Sequence, residues 1–241
     1  MTERAQLWVV IPAAGVGARM LADRPKQYLP LAGSRVLEHT LRCFTQHPKV
    51  CGIVLAVSIE DAYWPDLLLE TDVPIHCVPG GSERAQSVLS ALHFLSALTQ
   101  NEAHASDPWV LVHDAARPCL RREDLDKLLA TLNADPVGGL LAIPVRDTMK
   151  RADEYGCVAH TEPRAGLWHA LTPQMFRLRH LQQCLENALA QGLSVTDESS
   201  ALEWAGYTPR LVEGCADNIK ITRPEDLALA EFFLQQRGVG V

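Results

Sequence analysis

Val9-Val10-Ile11-Pro12-Ala13-Ala14-Gly15-Val16-Gly17-Ala18-Arg19-Met20, with Pro25-Lys26-Gln27 shortly after it, carries an apolar strand into a loop of small residues with two cations beyond. Small residues let main-chain N–H groups come close to a ligand, and successive amides form an anion-binding concavity. Arg19 and Lys26 add fixed positive charge where a triphosphate would need it. The stretch reads as a nucleotide site at the end of a first β-strand.

Two look-alikes can be told apart from it. The dinucleotide turn G-x-G-x-x-G needs a third glycine where Met20 stands, and an acidic residue closing a second strand about 20 positions on. Glu38 lies near that distance but opens a helix-like stretch. The P-loop needs Gly-Lys-Ser/Thr, and no lysine here follows a glycine. An ordinary surface turn is the plain alternative.

The 241 residues are 47% hydrophobic and 21% charged, which suits one large globular domain with an ample core. No apolar run approaches the roughly 18 residues of a membrane span. Met1-Thr2-Glu3-Arg4 starts no apolar signal segment, so a cytoplasmic protein is expected. Seven cysteines without a C-x-x-C pair argue against a disulfide framework and a structural zinc site. A net charge of −7 disfavours broad nucleic-acid binding.

Strand-like runs alternate with helix-like stretches. Strands are expected at Leu7–Ile11, Gly52–Val57, Ile75–Val78, Trp109–Val112, Leu140–Val145 and Pro209–Val212. Helices are expected at Val36–Phe44, Glu83–Leu98, Asp124–Leu132, Arg177–Gln191, Glu198–Ala205 and Pro224–Gln236. This alternation predicts an α/β fold, a mostly parallel sheet with helices on both faces and ligand loops at the strands' C-terminal ends. Regularity breaks at about 146–168. There Thr148–Ala152 and Cys157–Thr161 flank Asp153-Glu154-Tyr155-Gly156, a plausible hairpin turn. A hairpin with so few large apolar residues is not stable alone. It is expected to pack on a second subunit, against the plain reading of a loose surface hairpin.

Four polar clusters follow predicted strands: the first loop to Lys26, Gly80-Gly81-Ser82 through Ser87, His113-Asp114 through Arg117, and Asp217-Asn218-Ile219-Lys220. Glycines with the Ser87 hydroxyl suit a base edge, and Asp114 suits a ribose hydroxyl or a divalent cation. Each cluster has a bland reading as a turn, and His113 reads as structural. Their coincidence on one sheet edge fits nucleotidyl transfer. A phosphate-monoester nucleophile is already ionised near neutral pH, so it needs a held geometry and positive charge rather than a general base. Mg2+ or another divalent cation would bridge the triphosphate oxygens, with Asp114 or Asp217 as candidate ligands.

Residues 12–20 (PAAGVGARM), 25–29 (PKQYL), 79–84 (PGGSER), 112–118 (VHDAARP), 142–150 (AIPVRDTMK), 167–174 (LWHALTPQ), 195–203 (VTDESSALE) and 217–227 (DNIKITRPEDL) resemble the 2-C-methyl-D-erythritol 4-phosphate cytidylyltransferases. The resemblance runs in order over nearly the whole chain. It implies a single Rossmann-like nucleotidyltransferase domain over 1–241 with an inserted β-hairpin arm. It also implies transfer from CTP to 2-C-methyl-D-erythritol 4-phosphate in the non-mevalonate isoprenoid pathway. By the same resemblance Pro12, Ala13, Ala14, Gly15 and Gly17 wrap CTP, and Arg19 and Lys26 stabilise the transition state. Gly80, Gly81, Ser82 and Ser87 face the cytosine, while Asp114 and Arg117 belong to the nucleotide and metal side. Arg164 and Lys220 position the substrate phosphate. Thr148, Arg164 and Thr172, in or near the arm, reach a neighbouring site across a homodimer. Ala18 departs from relatives that carry a second cation beside Arg19. A ribitol 5-phosphate cytidylyltransferase and a non-catalytic nucleotide-binding module are the competing readings. A nucleotide-sugar glycosyltransferase, which usually relies on a metal-binding Asp-x-Asp, is the weakest.

Overall fold

The computed structural model of the protein describes residues 7–15, 20, 24–100 and 107–238. The first strand, β1 (Leu7–Pro12), leads to the small pair β2 (Pro30–Leu31) and β3 (Ser34–Arg35), then to α1 (Val36–Thr45). Next come β4 (Val50–Val57), β5 (Ile75–Pro79), α2 (Arg84–Thr99), β6 (Trp109–Val112), α3 (Arg122–Leu132) and β7 (Gly138–Pro144). The hairpin β8 (Met149–Ala152) and β9 (Val158–Glu162) precedes β10 (Trp168–Arg177). The chain closes with α4 (Leu178–Ala190), α5 (Glu198–Trp204), β11 (Arg210–Glu213) and α6 (Pro224–Gln235).

Seven strands form the central sheet in the order β11-β7-β10-β6-β1-β4-β5. Only β10 runs against its neighbours; the other pairings are parallel. The period-2 side-chain pattern of β1 explains the two cores. Val9 and Ile11 point to one face with Ile53, Leu55 and Leu111, covered by Leu37, Leu41 and Phe44 of α1 and Leu125 and Leu128 of α3. Trp8 and Val10 point to the other with Val54, Val110 and Val112, covered by Val88, Leu92 and Leu95 of α2 and Leu181 and Leu185 of α4. Burial on both faces is what a central parallel strand needs, and it accounts for the unbroken apolar runs.

The expected strands and helices are present with end shifts of one or two residues, as helix and strand ends usually differ. The local pattern does not announce the short pair β2 and β3, nor β10, the one strand of the central sheet that it misses. Pro173 lies within β10, and a proline argues against a central strand. The ladder with β7 shifts register between Ala170 and Gln174, so the proline sits where pairing is already interrupted.

The expected hairpin is present as an antiparallel pair, β8 and β9, apart from the central sheet. Its turn is held by Asp153 Oδ1, which accepts from the N–H groups of Tyr155 at 3.0 Å and Cys157 at 2.8 Å. Gly156 takes φ +79°, the left-handed region that glycine enters at least cost. All four residues of β8 are exposed, as are Tyr155 and Val158.

Candidate active site

The ends of β1, β5 and β6 and the segment before α6 open on one cleft, lined by Pro12, Ala13, Ala14, Gly15, Lys26, Gly81, Ser82, Ser87, Asp114 and Lys220 among others. Ala13 N–H continues the ladder beyond β1 by donating to Ala56 O at 2.7 Å. A short 3-10 turn at Lys26–Tyr28 then returns the chain beneath the loop. Gln27 is buried there, and its Nε2 donates to Ala13 O at 2.7 Å and Gly15 O at 3.3 Å. Tyr28 anchors the same turn by donating to Asp61 Oδ2 at 2.7 Å. Burial and this bond hold its phenol well above the usual range. Lys26 Nζ donates to Ile221 O at 2.8 Å, which ties the first loop to the segment carrying Lys220.

The second loop packs directly on the first. Gly80 N–H donates to Val57 O at 2.7 Å, and a Cβ on Gly80 would stand 2.5 Å from Ala14 Cβ and 2.9 Å from Ser87 Oγ. Ser87 Oγ accepts from Gly81 N–H at 3.1 Å and donates to Glu83 O at 3.2 Å, so the hydroxyl closes its own loop.

Asp114 is the electrostatic centre. Its Oδ1 accepts from Arg84 Nε at 3.0 Å, and its Oδ2 accepts from Lys220 Nζ at 2.9 Å and Arg117 Nε at 3.2 Å. Burial alone would raise its pKa, but Arg84, Lys220 and Arg117 together hold the carboxyl well below the usual range. Behind it, His113 Nε2 faces Arg117 O at 3.0 Å, so that nitrogen carries the proton. The neutral ring then accepts at Nδ1 from the Thr172 hydroxyl at 3.0 Å, while Thr172 Oγ1 accepts the Asp114 N–H at 3.1 Å.

Several expected site residues stand elsewhere. Asp217 does not line the cleft: its Oδ2 accepts from both Arg121 and Arg237, which hold it ionised although burial opposes this. That corrects its assignment as a metal ligand. Arg117 is buried beneath the cleft, bonded to Asp114 and, through NH1, to Asn218 O at 2.7 Å. Thr172 is buried in the hydrogen-bond chain just described and does not line this cleft. Thr148 and Arg164 are exposed on the arm, with Arg164 donating to Arg146 O, and neither lines the cleft of its own chain. Gly80 packs behind the lining. Gly17 and Arg19 lie outside the described residues.

Gln27, Glu83, Arg84, Ala115 and Ala116 line the cleft without having been singled out. Arg84 and Gln27 adjoin residues that were, but a one-dimensional pattern does not say which side of a turn faces in. No group of three His, Cys, Asp or Glu side chains among the described residues is placed to hold a metal ion. Asp114 has both oxygens on cations. The protein side of the cleft does not fit a metal held by carboxylates. The chain's Asp-x-Asp, Asp124-Leu125-Asp126, sits on α3 instead: Asp124 accepts from Cys215 N–H at 2.8 Å, and Asp126 pairs with His47 and Arg122.

A mostly parallel sheet whose strand ends gather a glycine-lined loop, two lysines and an ionised aspartate defines a nucleotidyltransferase. The comparisons with known proteins agree. The chain matches the family model of 2-C-methyl-D-erythritol 4-phosphate cytidylyltransferase (IspD) over residues 7–236. It therefore belongs to the 2-C-methyl-D-erythritol 4-phosphate cytidylyltransferase family. A protein of that name from Ectopseudomonas mendocina (strain ymp) is 59% identical over 223 residues, covering 92% of this chain and 93% of the relative. The crystal structure of the Francisella tularensis protein of that name has a TM-score of 0.80 at 35% identity, covering 95% of this chain and 100% of that one. A crystal structure of 4-diphosphocytidyl-2C-methyl-D-erythritol synthase has a TM-score of 0.81, also at 35% identity, with coverages of 95% and 98%.

Proposed function

We propose that the protein transfers the cytidylyl group of CTP to 2-C-methyl-D-erythritol 4-phosphate, giving 4-diphosphocytidyl-2-C-methyl-D-erythritol and pyrophosphate. The observation that carries this reading is the convergence of Lys26 and Lys220 on one cleft floored by Ala13, Ala14 and Gly15. An oxygen of the substrate phosphate attacks the α-phosphorus in line, and the bond to the β-phosphate oxygen breaks. No proton has to be removed from the nucleophile, in keeping with a cleft whose aspartate is bound to cations rather than free as a base. Lys26, with Arg19, stabilises the charge that develops at the α-phosphate, and main-chain groups of residues 12–17 hold the triphosphate. Gly81, Ser82 and Ser87 face the base. Lys220 holds the phosphate of the acceptor.

Magnesium, or another divalent cation, would enter on the phosphate oxygens of CTP itself, since the protein's own donors do not fit it. The arm of about 146–168 reaches from one catalytic unit, spanning 1–241, to the neighbouring copy in a homodimer. It brings Thr148 and Arg164 to the partner's acceptor pocket. Support comes from the exposure of Met149, Val158 and Leu167 on a hairpin too small to stand alone. No helix among the described residues is long and apolar enough to cross a membrane. We place the reaction in the cytoplasm on the ground of its biosynthetic role, which draws on CTP.

The deciding assay offers purified protein CTP with either 2-C-methyl-D-erythritol 4-phosphate or ribitol 5-phosphate and follows pyrophosphate. Release with the erythritol ester, abolished by Lys26→Ala, is expected. Equal or faster turnover of the ribitol ester overturns the substrate assignment, and CTP binding without release from either ester reduces the protein to a binding module.

A further inference from the structure

Glu198 lies outside the cleft, yet a residue that lines the cleft holds both of its oxygens. It is the first residue of α5, behind the Asp197 cap, and only 1% exposed. Arg84 NH1 donates to Glu198 Oε1 at 2.6 Å and Arg84 NH2 to Oε2 at 3.0 Å. This two-point fork fixes the plane and roll of the guanidinium. So oriented, Arg84 presents one N–H, from Nε, to Asp114 Oδ1. Asp114 Oδ2 remains for Lys220 and Arg117.

We infer that Glu198 is a positioning residue for the phosphomonoester acceptor: acting through Arg84 and Asp114, it holds the Lys220 ammonium where the incoming phosphate binds. The inference rests on the transfer reading above. Its physical basis is competition for one carboxylate. A guanidinium is a rigid fork that matches a carboxylate edge to edge. With Glu198 in place, that edge-on pairing is satisfied away from the cleft. Without it, Asp114 is the carboxylate still in contact with Arg84, and a fork turned onto Asp114 takes the oxygen that Lys220 uses. Lys220, more than a third exposed and on a flexible stem, then leaves its position. Glutamine at 198 keeps the shape and one acceptor oxygen, but sets an amide N–H2 against a guanidinium N–H and breaks the fork.

A plain structural clamp between α2 and α5 predicts something different: lower stability, with no preference for one substrate. The test is steady-state kinetics of Glu198→Gln and Arg84→Lys, varying the acceptor and CTP separately. In both variants KM for the acceptor rises about tenfold, while KM for CTP stays within about twofold. Glu198→Asp, which keeps the charge, recovers part of the loss. In a Lys220→Ala background, Glu198→Gln lowers kcat/KM by less than about threefold more, because both changes act on one ammonium. Equal rises in the two KM values, a lower melting temperature with neither KM altered, or full additivity with Lys220→Ala would each overturn the inference. Should Glu198→Gln not fold, Arg84→Lys decides by the same criteria. Wild-type protein that releases no pyrophosphate overturns the transfer reading instead.

Discussion

The side-chain amide of Gln27 donates to the main-chain oxygen of Ala13 at 2.7 Å, so the residue next to Lys26 also clamps the loop that Lys26 faces. Position and charge of the first loop are therefore set by neighbours in sequence. Lys26 reaches the cleft while Gln27 holds the backbone beneath it.

Gln27→Ala leaves the buried Ala13 carbonyl without this donor, a loss of about 1–3 kcal/mol. Urea unfolding should show that loss, and KM for CTP should rise several-fold. Unchanged CTP affinity in a destabilised variant would separate this loop from nucleotide binding.

Gly80 and Gly15 should respond differently to alanine. At Gly80 the new methyl meets Ala14 Cβ at 2.5 Å, so the two loops must separate and stability falls by about 1–3 kcal/mol. At Gly15 no atom of the described residues stands within 4 Å of a Cβ, and the melting temperature should hold. A weaker grip on CTP in the stable Gly15→Ala variant would report ligand contact alone, and wild-type CTP affinity there would remove Gly15 from the binding loop.

Burial pushes the His113 imidazole down from 6.5 to about 4. The unfolded chain takes up this proton below about pH 6.5, whereas the folded protein refuses it until about pH 4. The neutral ring's contribution is thus intact above that window and is lost as pH falls through it, at a cost on the order of 2 kcal/mol between pH 7 and 5. Urea unfolding at the two pH values should show a steeper loss in the wild type than in His113→Asn. Identical slopes would rule out this histidine as the source.

Arg164→Ala and Lys26→Ala, each inactive alone, should recover part of the activity when mixed and allowed to exchange subunits. Each mixed dimer can contain one site with both residues intact. No recovery despite demonstrated exchange would confine the arm to its own chain.

Much of the fold was legible because buried parallel strands demand apolar residues on both faces, and Val9-Val10-Ile11 and Trp109–Val112 satisfy that demand openly. β10 was not legible, since Pro173 and the buried polar Gln174 interrupt an otherwise apolar run and argue locally against a central strand. Tertiary pairing on both sides overrode the propensity. Among site residues, those in glycine-rich loops stood out, while Glu198 did not. A glutamate beginning a helix looks like dipole complementation, and its partner lies 114 positions away.

By itself, the chain's order of residues determined the strand and helix sequence, the glycine-lined loop and the supply of lysines at strand ends, because these follow from local geometry and hydrophobic period. Only the folded arrangement decided which charges meet. It tied Asp217 to Arg121 and Arg237, buried Arg117, and joined Glu198, Arg84, Asp114 and Lys220 in one line. Ionic partnership depends on distance in space, and distance between loops is set by how the sheet orders its strands, which no local pattern records.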